Sequence, residues 1–154
     1  MNPLTAALMA FLHHLAAFTV VSTLVAEVLS FKPPLTALQA RRLQKIDMVF
    51  GISAGLVLAI GLLRVVYFEK GAAYYFANGF FLAKLTLFIV AALISIYPTM
   101  RFLSWSKTLK QGGTPTVEPD EARRVRLCLM LELTAIVGIL LCAPLMARGI
   151  GMMR

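Results

Sequence analysis

The sequence is poor in the groups on which small soluble domains and enzymes depend. It has two cysteines, one tryptophan and seven acidic side chains in 154 residues. Cys128 and Cys142 lie fourteen positions apart in one apolar run, about 21 Å along a helix at 1.5 Å per residue. That separation excludes an intrachain disulfide, and no metal-ligand spacing accompanies it. Both are read as packing residues. No P-loop, HExxH, CxxC or nucleophilic triad pattern occurs. The eight methionines are scattered, without the close repeats of a copper relay. The N-terminus lacks a positively charged leader region, and its apolar stretch is long enough to span, so no cleavable signal peptide is expected.

What the sequence has in excess is apolar residues. They make up 60% of the chain, against about 45–50% in soluble domains, and mean hydropathy is +0.83. One small core cannot hide so many, whereas lipid accepts them on the outside. The apolar runs fall at about 4–30, 46–68, 79–103 and 126–147. Each reaches the roughly 20 residues that cross about 30 Å of hydrocarbon. The prediction is an all-α integral membrane four-helix bundle, a single transmembrane domain over 1–154. Lys32-Pro33-Pro34 stops the first helix. Pro98 is expected to kink the third, and Thr116 or Pro119-Asp120 to lead into the fourth.

Net charge is +8. The cations sit in short segments between apolar runs, with no interleaved aromatics of the kind that binds nucleic acid. They are read as topology signals and contacts for anionic lipid. Loops one and three, with their borders, hold Lys32, Arg41, Arg42, Lys45, Arg101, Lys107, Lys110, Arg123, Arg124 and Arg126. The other side holds Arg64, Lys70, Arg148 and Arg154. The positive-inside rule therefore puts both loops in the cytoplasm and both termini on the non-cytoplasmic side of a bacterial inner membrane. The segment 69–78 is short and aromatic, and Tyr74, Tyr75 and Phe76 suit an interfacial belt.

Charged groups inside spans are costly and are candidates for function. Alternating helix direction sorts them by depth. His13, His14, Arg64 and Lys84 form an outer, cationic tier. Glu27, Asp47 and Glu132 form an inner, acidic tier. Glu27 and Asp47 are expected to pair with loop cations. Glu132 lies deeper and is either structural glue or a proton-handling group. Glu69 is the one carboxylate expected at the height of Arg64 and Lys84, so this tier suits an anionic ligand, such as porphyrin carboxylates or a lipid phosphate. Adjacent helical residues point about 100° apart, so His13 and His14 cannot both ligate one iron from the same face. Small residues at Gly51, Ala54, Gly55 and Gly61, and at Ala83, Ala91, Ala92 and Ser95, allow close helix approach.

The strings Leu12-His13-His14-Leu15-Ala16-Ala17-Phe18, Arg41-Arg42-Leu43 with Asp47, Gly61-Leu62-Leu63-Arg64-Val65, Tyr67-Phe68-Glu69-Lys70-Gly71, and Phe81-Leu82-Ala83-Lys84-Leu85 with Ser95-Ile96-Tyr97-Pro98-Thr99 resemble a bacterial family of predicted four-span membrane proteins of unknown function. The resemblance covers nearly the whole chain. A weaker one is to the membrane-bound, haem-containing protoporphyrinogen oxidase and the copper-resistance D membrane domain. There a histidine early in the first span and a lysine in the third match His13 or His14 and Lys84, and Glu132 matches a carboxylate near the start of the last span. The typical Trp-rich first span is absent, and the loop after span two differs.

The weaker resemblance implies haem b ligated by His13 or His14, with Arg64 and Lys84 holding its propionates or a substrate carboxylate and Glu132 passing protons. Lys84 and Glu132 are then the candidate catalytic residues of a membrane oxidoreductase acting on a lipophilic or porphyrin-like substrate. The lack of any catalytic constellation supports the alternative, a non-enzymatic accessory subunit or lipid-binding scaffold, with membrane lipid, further copies or a larger complex as partners. A small transporter would need a polar path between the two tiers.

Overall fold

A computed structural model describes residues 2–153. Arg154, counted above among the outer cations, lies outside them. Four long helices are α1 (Pro3–Ser30), α2 (Ala37–Leu63), α4 (Gly79–Ser104) and α6 (Pro119–Ala147). Two single-turn helices, α3 (Ala72–Phe76) and α5 (Ser106–Lys110), sit in the connections. No strand occurs among the described residues, only an isolated bridge between Asn78 and Met152. All four long helices are long and apolar enough to cross a membrane.

Local sequence explains each boundary. Asn2 caps α1 by accepting from the Leu4 amide at 3.0 Å, with Pro3 opening the helix. Proline suits that position because its missing N–H would have no helical partner. Thr36 and Gln39 form a reciprocal capping box at α2, which satisfies two amides that a helix start leaves orphaned. Helix α2 therefore begins nine residues before the apolar run, and its first turns carry Arg41, Arg42 and Lys45. Asn78 is fully buried and accepts from both Phe80 and Phe81 amides to start α4. Pro119 opens α6, with Asp120 and Glu121 in its first turn, where the helix dipole favours carboxylates. Helix α4 continues through Pro98, which is buried.

The bundle is two antiparallel pairs. Helix α1 packs along α2, and α4 along α6; the pairs meet through slighter contacts of α1 with α6 and of α2 with α4. The main core is concentrated at the end of the bundle carrying loops one and three, here the basic end. It joins Leu24 and Phe31 to Leu43, Phe102, Val125 and Leu129. A smaller cluster at the terminal end is built on Val65, Tyr75 and Phe81. Elsewhere the helices present apolar side chains outward, Phe18 at 71% exposure and Leu93 and Leu141 at 63%. Water would penalise that surface at roughly 25 cal/mol per Å², and lipid covers it without penalty.

Residues after α6 turn back through Gly149 and Gly151, both at positive φ. Gly79 donates to the Gly151 carbonyl at 2.8 Å, Met153 to the Ala77 carbonyl at 2.7 Å, and the Asn78 amide side chain to the Ile150 carbonyl at 3.0 Å. This strap ties the last described residues to the start of α4.

Candidate anion-binding pocket

Helix α2 runs on into a turn that is not α-helical. Residues Arg64–Phe68 form a π-helical turn, wider than an α-turn by one residue and often found at functional sites. The turn keeps Arg64 and Val65 facing the bundle and delivers Glu69 beside them. Gly71, at φ 87°, then reverses the chain into α3. The result is a cavity of about 120 Å³ between α1, α2, α4 and the end of α6. Its polar lining is His13, Arg64, Glu69, Tyr75 and Lys84, and its apolar walls include Val57, Phe88 and Met146.

The polar groups are unequally satisfied. Arg64 is ion-paired to Glu69 through one terminal nitrogen. Tyr75 donates its hydroxyl to the other Glu69 oxygen at 3.3 Å. Burial, and then the Glu69 carboxylate beside it, pushes the Tyr75 phenol above its ordinary range. The Nε of Arg64 and the Nδ1 of His13 are buried without a partner. Lys84 reaches the same cavity from the second turn of α4 and forms neither of the two salt bridges among the described residues. Two cations and one carboxylate leave the lining one positive charge in excess, with an imidazole at its deep end. His13 can approach because Gly61 lies opposite: a Cβ there would stand 3.1 Å from His13 Cε1.

The expected outer tier is thus partly assembled. His13, Arg64 and Lys84 share the cavity, but His14 does not. It is exposed, meeting His13 edge to face at 6.1 Å between ring centroids. The 100° step between helical neighbours accounts for this. Tyr75, expected in an interfacial belt, is instead turned inward at 9% exposure, while Phe76 faces out. Its role could be foreseen only from where the π-turn places Glu69, which carries no sequence signature. Among the described residues no three His, Cys, Asp or Glu side chains gather as a metal site.

Glu132 belongs elsewhere. It lies ten residues from Cys142, which is within electrostatic reach of Lys84, a separation of about 15 Å along α6. Glu132, Glu27 and Asp47 are buried at the seam between the helix pairs, near enough for Glu27 to feel both other carboxyls. The expected pairing of Glu27 and Asp47 with loop cations is not found. Asp47 accepts from the Thr99 hydroxyl at 2.7 Å, and one oxygen of Glu27 and both of Glu132 have no partner. Helical phase explains the correction. Glu27 follows Leu24 by three positions, Asp47 follows Leu43 by four and Glu132 follows Leu129 by three, so each carboxyl shares the buried face. The cations of α2's first turns point outward instead; Arg41 donates to the Leu109 carbonyl at 2.8 Å. Along α1 and α2, buried Val20, Leu24 and Phe50 and the buried polar Ser53 lie between this tier and the pocket.

Residues 5–151 match a family model described as a predicted membrane protein, DUF2214. The chain belongs to that family. No curated protein and no solved structure matches this DUF2214 protein. It is an integral membrane protein. Of the residues implied for haem, His13, Arg64 and Lys84 line a cavity smaller than the roughly 300–1,000 Å³ that encloses a drug-sized ligand. Only one of the two histidines faces it.

Proposed function

We propose that this DUF2214 protein is a non-enzymatic binding protein of the bacterial inner membrane. Its pocket would hold the head of a small amphiphilic anion, a carboxylate or phosphate on an apolar chain. The reading rests on Lys84, a half-buried ammonium that forms no salt bridge among the described residues, in a cavity whose remaining walls are mostly apolar. An unpaired cation away from bulk water is costly. An incoming anion would remove that cost, with Arg64 Nε and His13 available as further donors. The positive-inside asymmetry favours the non-cytoplasmic half for the pocket.

Thermal stabilisation of the detergent-purified protein tests this. Oleate and oleoyl lysophosphatidate should stabilise it where neutral mono-olein does not, and the stronger of the two identifies the head group. A charge-assisted hydrogen bond is worth about 1.5–3 kcal/mol, so Lys84→Gln should weaken binding by about 10- to 100-fold. Equal stabilisation by mono-olein, or an unaffected Lys84→Gln, would overturn the reading. A Soret band from protein made in haem-replete cells, lost in His13→Ala, would replace it with haem binding.

A further inference from the structure

We infer a second site, at the basic end: the groove between α2 and α4 binds one anionic phospholipid of the adjoining leaflet. Helices α2 and α4 belong to different pairs and touch only slightly, which leaves a groove of about 780 Å³ between them. That volume falls within the range of ligand pockets. The groove has a fixed floor. The Gln44 amide donates to the Phe102 carbonyl and to Ser106 Oγ, and Thr99 donates to Asp47, so these polar groups satisfy one another. The rim is different. Arg41, Arg42 and Lys45 line it and form no salt bridge among the described residues, and only Arg41 has a side-chain hydrogen bond there, to the Leu109 carbonyl. Against Asp47, the one carboxylate in the lining, the three cations leave an excess of two positive charges.

The order of residues along α2 selects the occupant. The cations occupy positions 41, 42 and 45, and Met48 and Gly51 follow on the lining. Gly51 lies six residues beyond Lys45, about 9 Å deeper at 1.5 Å per residue. Leu103 forms part of the facing wall, and Met48 and Leu103 are both 58% exposed. A Cβ built on Gly51 meets nothing within 4 Å, so the groove stays open at that depth. Cations at head-group height above an apolar slot match a phosphate that carries an acyl chain. A soluble anion would leave the slot unfilled, and an acidic peptide would have to place its backbone in hydrocarbon, where unpaired amides are costly. The inference does not depend on the pocket at the other end.

Native mass spectrometry of protein released from detergent with equal phosphatidylglycerol and phosphatidylcholine of matched chains decides the matter. Wild type should retain one phosphatidylglycerol preferentially. Arg42→Gln with Lys45→Gln should lower that retention about tenfold. Gly51→Leu should lower it too, without changing any charge, and an unchanged melting temperature checks that it folds; its Cβ meets nothing within 4 Å. Lys107→Gln with Lys110→Gln, which removes exposed cations of the same end outside the groove, should leave retention unchanged. Equal retention of phosphatidylcholine would overturn the site. So would a loss in the Lys107/Lys110 variant as large as in Arg42/Lys45, which would mean diffuse surface attraction. A dimer abolished by Gly51→Leu would assign the groove to a second copy and equally overturn it.

Discussion

Replacing Glu132 with methionine should make the protein more stable. Glu132 is 1% exposed, and neither carboxyl oxygen has a hydrogen-bond partner. A buried polar group left unsatisfied costs about 1–3 kcal/mol. Methionine has similar length and no such group, and volume-conserving swaps leave packing nearly intact. The substitution also takes one carboxyl away from Glu27 and Asp47. The expected gain is therefore about 1–3 kcal/mol, read as a rise in melting temperature of about 2–4 °C per kcal/mol for a chain of this size. Thermal unfolding in one detergent at fixed lipid content measures it. Glu132→Ala is the informative companion, because it removes the same oxygens but leaves a void. It should lie about 2–5 kcal/mol below the methionine variant. If Glu132→Met melts below wild type while Glu132→Gln matches it, the carboxyl has a partner at the seam and the reasoning fails.

Leu24 is fully buried in the main core, so Leu24→Ala should cost about 2–5 kcal/mol in the same melt; a loss below about 1 kcal/mol would mean that the helix pairs close up readily. Gly151→Ala should loosen the strap, because Gly151 sits at φ 84° and a Cβ would stand 2.6 Å from the Phe80 ring; faster hydrogen exchange at the Gly79 amide, which donates to Gly151, would report it. Tyr75 sets a pH limit. Its phenol titrates higher in the folded protein than in the unfolded chain, so its stabilisation is complete below about pH 10 and falls as pH rises through the folded value. Tyr75→Phe should flatten the alkaline fall in stability, and an unchanged slope would remove Tyr75 as its cause.

The spans were legible because lipid imposes a length and a composition that survive in sequence. The observed first, third and fourth helices cover the expected apolar runs. The start of α2 was missed by nine residues because apolarity was the criterion. That stretch is basic yet helical, and its signal was Thr36 three positions before Gln39, a capping pair rather than a greasy run. The pocket was half legible. Depth groups His13 and His14 with Arg64 and Lys84, of which the cavity is lined by His13, Arg64 and Lys84, and the 100° step accounts for His14 facing away. The π-turn that positions Glu69 and Tyr75 has no sequence rule behind it. The acidic tier was misjudged because proximity along the chain suggested loop cations as partners, whereas the helical phase of Leu24–Glu27, Leu43–Asp47 and Leu129–Glu132 aims all three carboxyls inward.

That inward aim has a mechanical consequence. Each hairpin is broadly zipped along its length, while the join between hairpins is narrow and lined in part by acids with no one to bond. Stiffness is therefore directional: sliding or parting one hairpin against the other disturbs far less than bending either. Any motion the protein uses should follow that compliant direction and open from the terminal end, because at the basic end the main core and the Gln44 and Thr99 hydrogen bonds hold α2 to α4.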